Sequence, residues 1–201
     1  ATTEIYTLSL HDALPISSVW SAPTIDVQRK ALYVATSNSY ADPATDTSDA
    51  ILAFDLSTGK MLWHQQATPK DSFVVACFGT DQSNCPQDRG PDHDFGQSPI
   101  LVNLRDGHRE LVIGQKSGVV HALDPDHEGK ILWQTRIGKG GPLGGTEWGS
   151  AADQDRIYVA NSDVRFLMDG SRRLNSSEGG GLFGLDLATG KIAMQVAPVA
   201  Y

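Results

Sequence analysis

Only two cysteines occur in this 201-residue chain, Cys77 and Cys85, and neither begins a Cys-x-x-Cys-His sequence, which excludes covalent attachment of a c-type haem to this segment. Further ligands at zinc spacing are missing as well. Two options remain for the pair, a local disulfide made in an oxidising compartment or two free thiols. The first is favoured because both cysteines stand in one loop rich in Gly, Asn, Asp and Pro. The chain has no run of Lys or Arg, and its formal net charge is -8, so nucleic acid is excluded as a partner on electrostatic grounds. No stretch approaches the roughly 20 apolar residues of a transmembrane segment. A charged-then-apolar signal sequence does not open the chain either, but this is given no weight, because residues 1–17 do not read as native protein. Within them YTLSLHDALPI, from Tyr6 to Ile16, resembles the in-frame translation of a sequencing-library adapter. Both ends are expected to be cut, since the chain stops at Val199, Ala200 and Tyr201 without a cap or polar tail.

The chain as a whole is 40% hydrophobic and 20% charged, so a packed fold rather than disorder is the expectation for what remains, residues 18–201. Three repeats run through it. The first reads SAPTID (21–26), ALYVATSN (31–38) and AILAFDLSTGKMLWHQQ (50–66). The second reads GQSPILV (96–102), ELVIGQKSG (110–118) and VVHALDPDHEGKILWQT (119–135). The third reads WGSAAD (148–153), RIYVANSD (156–163) and GLFGLDLATGKIAMQV (181–196). Each unit predicts four short strands, with β-branched and aromatic residues alternating with small or polar ones. The last two strands are joined by a turn of recurring chemistry. Asp55 to Lys60, Asp124 to Lys130 and Asp186 to Lys191 each set Gly where a tight turn needs positive φ, behind an Asp able to bond the turn backbone. Trp63 and Trp133 follow at the same offset and are expected to anchor adjacent sheets. Four-stranded units recurring about every 60 to 70 residues predict an all-β fold, a partial β-propeller of three antiparallel blades.

The excess length of each unit falls at one end of the blades. The first-to-second and third-to-fourth turns are short, whereas loops 39–49, 67–91, 136–146 and 164–180 carry the insertions. Long loops gathered at one end of a rigid scaffold are where sites are built. At that end stand Trp20 before a first strand, Asn38 closing a second strand, and Asp92 and Asp94 entering the next first strand. Lys116 closes the following second strand, and Glu147 and Trp148 open the third unit. Singly, each has a plainer reading: core or interface aromatics for Trp20 and Trp148, a turn residue for Asn38, solvated charges for Asp92, Asp94 and Lys116. Together they suit a flat, polyanionic, redox-active ligand. An indole offers a stacking floor, an amide and carboxylates offer oxygen ligands for a hard divalent cation, and a lysine offers positive charge beside a quinone oxygen.

The tandem units, with TSDAILAFDLSTGK, GPDHDFGQSPIL, GQKSGVVHALDPD and GGTEWGSAAD, resemble the pyrroloquinoline-quinone-dependent (PQQ) alcohol dehydrogenase family, and within it the polyvinyl-alcohol dehydrogenase branch. The resemblance spans about residues 18 to 201. It implies three blades of a larger, eight-bladed propeller that binds PQQ and Ca2+. Trp20 falls at the tryptophan beneath the cofactor ring, Asn38 at the calcium-binding asparagine, and Lys116 at the basic residue beside the quinone oxygens. Asp94 matches the general base for the alcohol hydroxyl and a metal ligand. A shift of one register step gives the base role to Asp92, and Asp71 is a weaker third candidate. Glu147 stands where many relatives carry Asn, so only a ring-edge position is carried over for it, with Trp148 beside it.

The activity implied is oxidation of an alcohol, with polyvinyl alcohol or a related secondary alcohol favoured, by hydride transfer to PQQ in the periplasm. A c-type cytochrome would accept the electrons. The first acidic calcium ligand and the remaining blades are expected outside this segment, as is any haem c domain, so the segment is expected to be inactive alone. The rival reading is a non-catalytic propeller of the same repeat that binds protein or scaffolds outer-membrane assembly, which has no need of Trp20, Asn38, Asp94 and Lys116 on one rim.

Overall fold

The computed structural model describes residues 17–165, 171, 175 and 179–197. Residues 1–16 of the segment read as non-native, and part of the 164–180 loop, lie outside them. Blade 1 contains β1 (Thr24–Asp26), β2 (Ala31–Ala35), β3 (Ala50–Asp55) and β4 (Met61–Gln66). Blade 2 contains β5 (Ile100–Asn103), β6 (Arg109–Gly114), β7 (Val119–Asp124) and β8 (Lys130–Arg136). Blade 3 contains β9 (Ser150–Ala152), β10 (Arg156–Asn161), β11 (Gly181–Asp186) and β12 (Ile192–Val196). Every sheet is a four-stranded antiparallel meander in chain order, as the repeats predict. Among the described residues the one helical element is a 3-10 turn, Val75–Phe78, in the loop between blades 1 and 2.

The turn chemistry is realised in each blade. Asp55 Oδ1 accepts the N–H groups of Ser57 and Thr58, Asp124 Oδ1 that of Asp126, and Asp186 Oδ1 that of Thr189. Gly59, Gly129 and Gly190 then take φ of +69°, +70° and +69°, the left-handed region that costs glycine nothing. The third strand of every blade carries a bulge at the same place: Ala53/Phe54, Ala122/Leu123 and Gly184/Leu185. Two glycines do a second task. A Cβ on Gly129 would stand 2.5 Å from the ring of Trp63, and one on Gly190 would stand 2.6 Å from Trp133, so each indole lies flat on the next blade's turn.

The core lies between blades. Ala31, Tyr33, Ala35, Ile51 and Ala53 of blade 1 meet Leu111, Ile113 and Leu123 of blade 2, with Phe95 beside them. Val112, Val120 and Ala122 on the other face of blade 2 meet Ile157, Val159, Phe183 and Leu185 of blade 3. Period-two alternation thus gives blade 2 an apolar face on each side. Each large side chain buried there contributes about 1.5 to 3 kcal/mol. The first strands β1, β5 and β9 are neighbours in turn, so the ends of first and second strands are drawn to a common rim.

Candidate functional site

The rim is tied together by Asp94, just before β5. Its Oδ1 accepts the backbone N–H of Asn38, just after β2, at 2.8 Å, and its Oδ2 accepts a hydrogen bond from Lys116 Nζ at 2.9 Å. Lys116 is itself set by its own N–H, which bonds the Asp94 carbonyl at 3.0 Å, so side chain and backbone agree on one register. Its ammonium also reaches Asp92 Oδ2 at 3.1 Å and lies 3.9 Å from Glu147 Oε1. Lys116 Nζ stands 5.8 Å from the ring centroid of Trp20. The Trp20 ring crosses Gly96, where a Cβ would approach it to 3.0 Å, and meets Trp148 edge-on at 5.3 Å between centroids. Trp148 is 80% exposed and Trp20 38% exposed, so this aromatic corner faces outward beside the buried charges. Asp92 and Trp148 hold φ of +62° and +67°, a strained backbone of the kind found at sites.

The seven residues singled out in the sequence, Trp20, Asn38, Asp92, Asp94, Lys116, Glu147 and Trp148, therefore stand on one rim. Asp71 differs. Its two oxygens accept the N–H groups of Asp92 (3.1 Å) and His93 (2.8 Å), so it clamps the loop that carries Asp92 and Asp94. Asn38 gives both of its amide hydrogens to backbone carbonyls, of Ser39 (2.7 Å) and Phe73 (2.6 Å), which leaves Oδ1 as its acceptor atom. Missed in the sequence is Asp49, just before β3. It is fully buried at φ +46°, and neither carboxylate oxygen meets a donor among the described residues. The one signal for it was an acidic residue directly before the apolar run 50–54.

Charge is badly balanced here. Asp49, Asp71, Asp92 and Asp94 are all buried, against one buried ammonium, Lys116. Burial first, then the charges of Asp71, Asp94 and Asp92, pushes Asp49 up to about 9. Burial and then Asp94 push Asp92 up to about 6, while burial raises Asp71 against its two backbone hydrogen bonds. Burial opposes the charged form of Lys116, but Asp94 and Asp92 outweigh it and the net shift is upward. His93 is lowered, chiefly by burial, and offers no compensating charge near neutral pH. Buried carboxylates in such excess demand protons or a hard cation. Among the described residues no three His, Cys, Asp or Glu side chains converge on a metal position. A cation at this rim would draw on Asn38 Oδ1 and Asp94, with its other oxygens supplied by a bound molecule.

No protein-family profile matches the chain. It is 48% identical over 147 residues to a polyvinylalcohol dehydrogenase of Pseudomonas sp., covering 73% of this chain and 23% of that protein. A second polyvinylalcohol dehydrogenase, of Sphingopyxis sp. (strain 113P3), is 38% identical over 178 residues, 88% of this chain and 26% of its own length. The chain thus spans about a quarter of the curated relatives it matches. Among solved structures, a quinohemoprotein alcohol dehydrogenase from Pseudomonas putida HK5 superposes with a TM-score of 0.62 at 16% identity, over 90% of this chain and 35% of that one. The resemblance carried by the repeats therefore holds: this segment is similar in sequence to the polyvinylalcohol dehydrogenases, and its fold is that of part of a quinoprotein alcohol dehydrogenase propeller.

Proposed function

We propose that residues 18–201 form part of the catalytic propeller of a periplasmic PQQ-dependent alcohol dehydrogenase acting on polyvinyl alcohol or a related secondary alcohol. The carrying observation is the constellation of Asp94, Lys116 and Asn38 beside Trp20, with more buried carboxylate than ammonium around it. Trp20 presents a ring face for a flat cofactor, Lys116 presents positive charge to its oxygens, and Asn38 Oδ1 with Asp94 holds Ca2+. When bound, the quinone supplies a two-electron acceptor and the calcium a Lewis acid. The chain's own task is the proton. Asp94, oriented by the Asn38 N–H and the Lys116 ammonium, accepts the hydroxyl proton of the alcohol, and Asp92 is the alternative base one register step away. Glu147 and Trp148 border the ring edge. The Cys77–Cys85 bridge, with Cα atoms 5.1 Å apart, supports an oxidising compartment, and a c-type cytochrome is the acceptor that fits there.

The reading is tested by titrating the intact protein with PQQ, with and without Ca2+, while following tryptophan fluorescence. Calcium-dependent, saturable quenching that Trp20→Ala weakens is the expected result, together with reduction of a dye acceptor on addition of alcohol. A protein that binds neither PQQ nor Ca2+ would sink the proposal in favour of a protein-binding propeller.

A further inference from the structure

A cavity of about 440 Å3 opens at the other end of the blades from the rim, among the short turns of blades 2 and 3. Its lining is mixed: Leu104, Leu132 and Trp133 are apolar, and the acidic groups Asp106, Asp124 and Asp126 are already paired with His108 (2.9 Å), His127 (2.7 Å) and Arg109, which leaves Glu110 as the acidic residue of the lining without a cationic partner among the described residues. Glu110 is 4% exposed, and no donor among the described residues reaches its Oε2. The Trp133 Nε1–H is directed to the Leu187 carbonyl at 2.6 Å, so the indole only eases the Glu110 charge and leaves Oε2 unmet. Burial first, and then the charges of Asp106, Asp124 and Asp186, pushes the Glu110 carboxyl up to about 7. A buried carboxylate with an unmet oxygen on the wall of a cavity calls for a cation from outside.

The register of the blades explains why the chain provides none. At the junction of blades 1 and 2, Arg109 at the start of β6 reaches back across the gap, and its guanidinium bonds buried Asp26 at 2.7 Å and also Asp126. Leu111 pairs with Leu123 in blade 2 as Ile157 pairs with Leu185 in blade 3, so the residue equivalent to Arg109 is Asp155. Asp155 is instead occupied at the surface by Arg105, at 2.7 Å. One junction carries its own cation to a buried carboxylate; the next has the carboxylate without the cation.

We infer that this cavity binds an organic cation, an ammonium or guanidinium group on an aliphatic stem. The charge lies on Glu110 in the role Arg109 plays for Asp26, and the stem lies against Trp133, Leu132 and Leu104. A bare metal ion does not fit the description: the space is far larger than one ion, and no three acidic or histidine groups among the described residues converge on a point. The inference is independent of the dehydrogenase reading, since it concerns the opposite end of the blades.

The test is an NMR titration of the intact protein, following the Trp133 indole N–H, with n-butylguanidinium and n-butylammonium, with the uncharged valeramide, and with Ca2+. Saturable shifts with either cation and none with valeramide are expected. Glu110→Gln should weaken binding by about tenfold or more, the loss of a charge-assisted contact. Ala188→Arg, which offers a guanidinium from the blade 3 turn, should block the cavity with Glu110 intact. An arginine tripeptide that binds as tightly as butylguanidinium assigns the occupant to a partner protein's side chain; binding of the free cations alone assigns it to a small amine or guanidine. Equal shifts with valeramide, unchanged affinity in Glu110→Gln, or shifts with Ca2+ but not with the organic cations would overturn the inference.

Discussion

Among the described residues Asp49 keeps both carboxyl oxygens, and Glu110 its Oε2, buried without a hydrogen-bond partner, and the cost of that arrangement depends on pH in a direction that can be worked out. For Glu110 the folded value is about 7 against an ordinary 4.5, so between those limits the folded state holds a proton that the unfolded chain releases. Stability is therefore fully retained below pH 4.5 and lost as pH rises to 7. Glu110→Gln should raise stability by roughly 1 to 3 kcal/mol at pH 8 and by nothing at pH 4. Urea melts at the two pH values measure this, and an equal effect at both would show that the carboxyl is partnered. On the proposed function, Asp94→Asn in the full-length protein should lower turnover by roughly two to four orders of magnitude, and it should also weaken calcium retention in part, since the amide keeps an oxygen ligand but loses the charge. Normal turnover in that variant with loss in Asp92→Asn would exchange the two roles. Trp20, Asn38, Asp94 and Lys116 were legible because each sits at a strand end that the repeat itself marks. Asp49 and Glu110 were not, because their isolation arises from what neighbouring segments fail to present, and the pattern of one strand does not contain that.

At the scale of elements, the turn after the third strand joins sequence to packing. Gly59, Gly129 and Gly190 share one sequence motif and one φ, yet only the latter two lie beneath an indole of the preceding blade; around Gly59 a Cβ would meet nothing within 4 Å. Gly59→Ala should cost about 1 to 2 kcal/mol, the strain of left-handed backbone alone. Gly129→Ala should cost clearly more, since Trp63 must also move off the junction between blades 1 and 2. Thermal melts of the pair check this, and equal losses would mean that the indole contact adds nothing. The motif predicted the turn in all three blades; the difference between them needed the blades side by side. The loop 67–91 shows the same division. Its two cysteines allowed a bridge or free thiols in the sequence, and the structure bridges them. A closure this short contributes about 2 to 3 kcal/mol at most in the chain-entropy model. Its reduction should loosen the loop around Val75–Phe78 in hydrogen exchange while the strands stay protected.

At the scale of the whole molecule, each junction between blades hides the apolar residues that a single four-stranded sheet leaves on its faces. Blade 2 is covered on both sides, and its inward residues Leu111, Val112, Ile113 and Val120 are fully buried. Blade 3 is covered on one side: Leu182 and Val196, paired across β11 and β12, remain 41% and 51% exposed, with Ile192 at 45%. Blade 1 likewise leaves Ile25 60% exposed, and Val27 beyond β1 is 83% exposed. Exposed apolar sheet faces and unpaired strand edges recruit further strands, and a formal net charge of -8 spread over 201 residues opposes this only over distances that physiological salt screens. The 201-residue segment on its own is therefore expected to self-associate, more strongly at high salt. Sedimentation velocity at two salt concentrations measures it. Leu182→Lys with Val196→Lys, which places charge on the open face of blade 3, should shift the distribution toward monomer without disturbing the Lys116 rim, a blade face away. A monodisperse, cooperatively melting monomer that the two lysines do not change would mean that these faces need no cover.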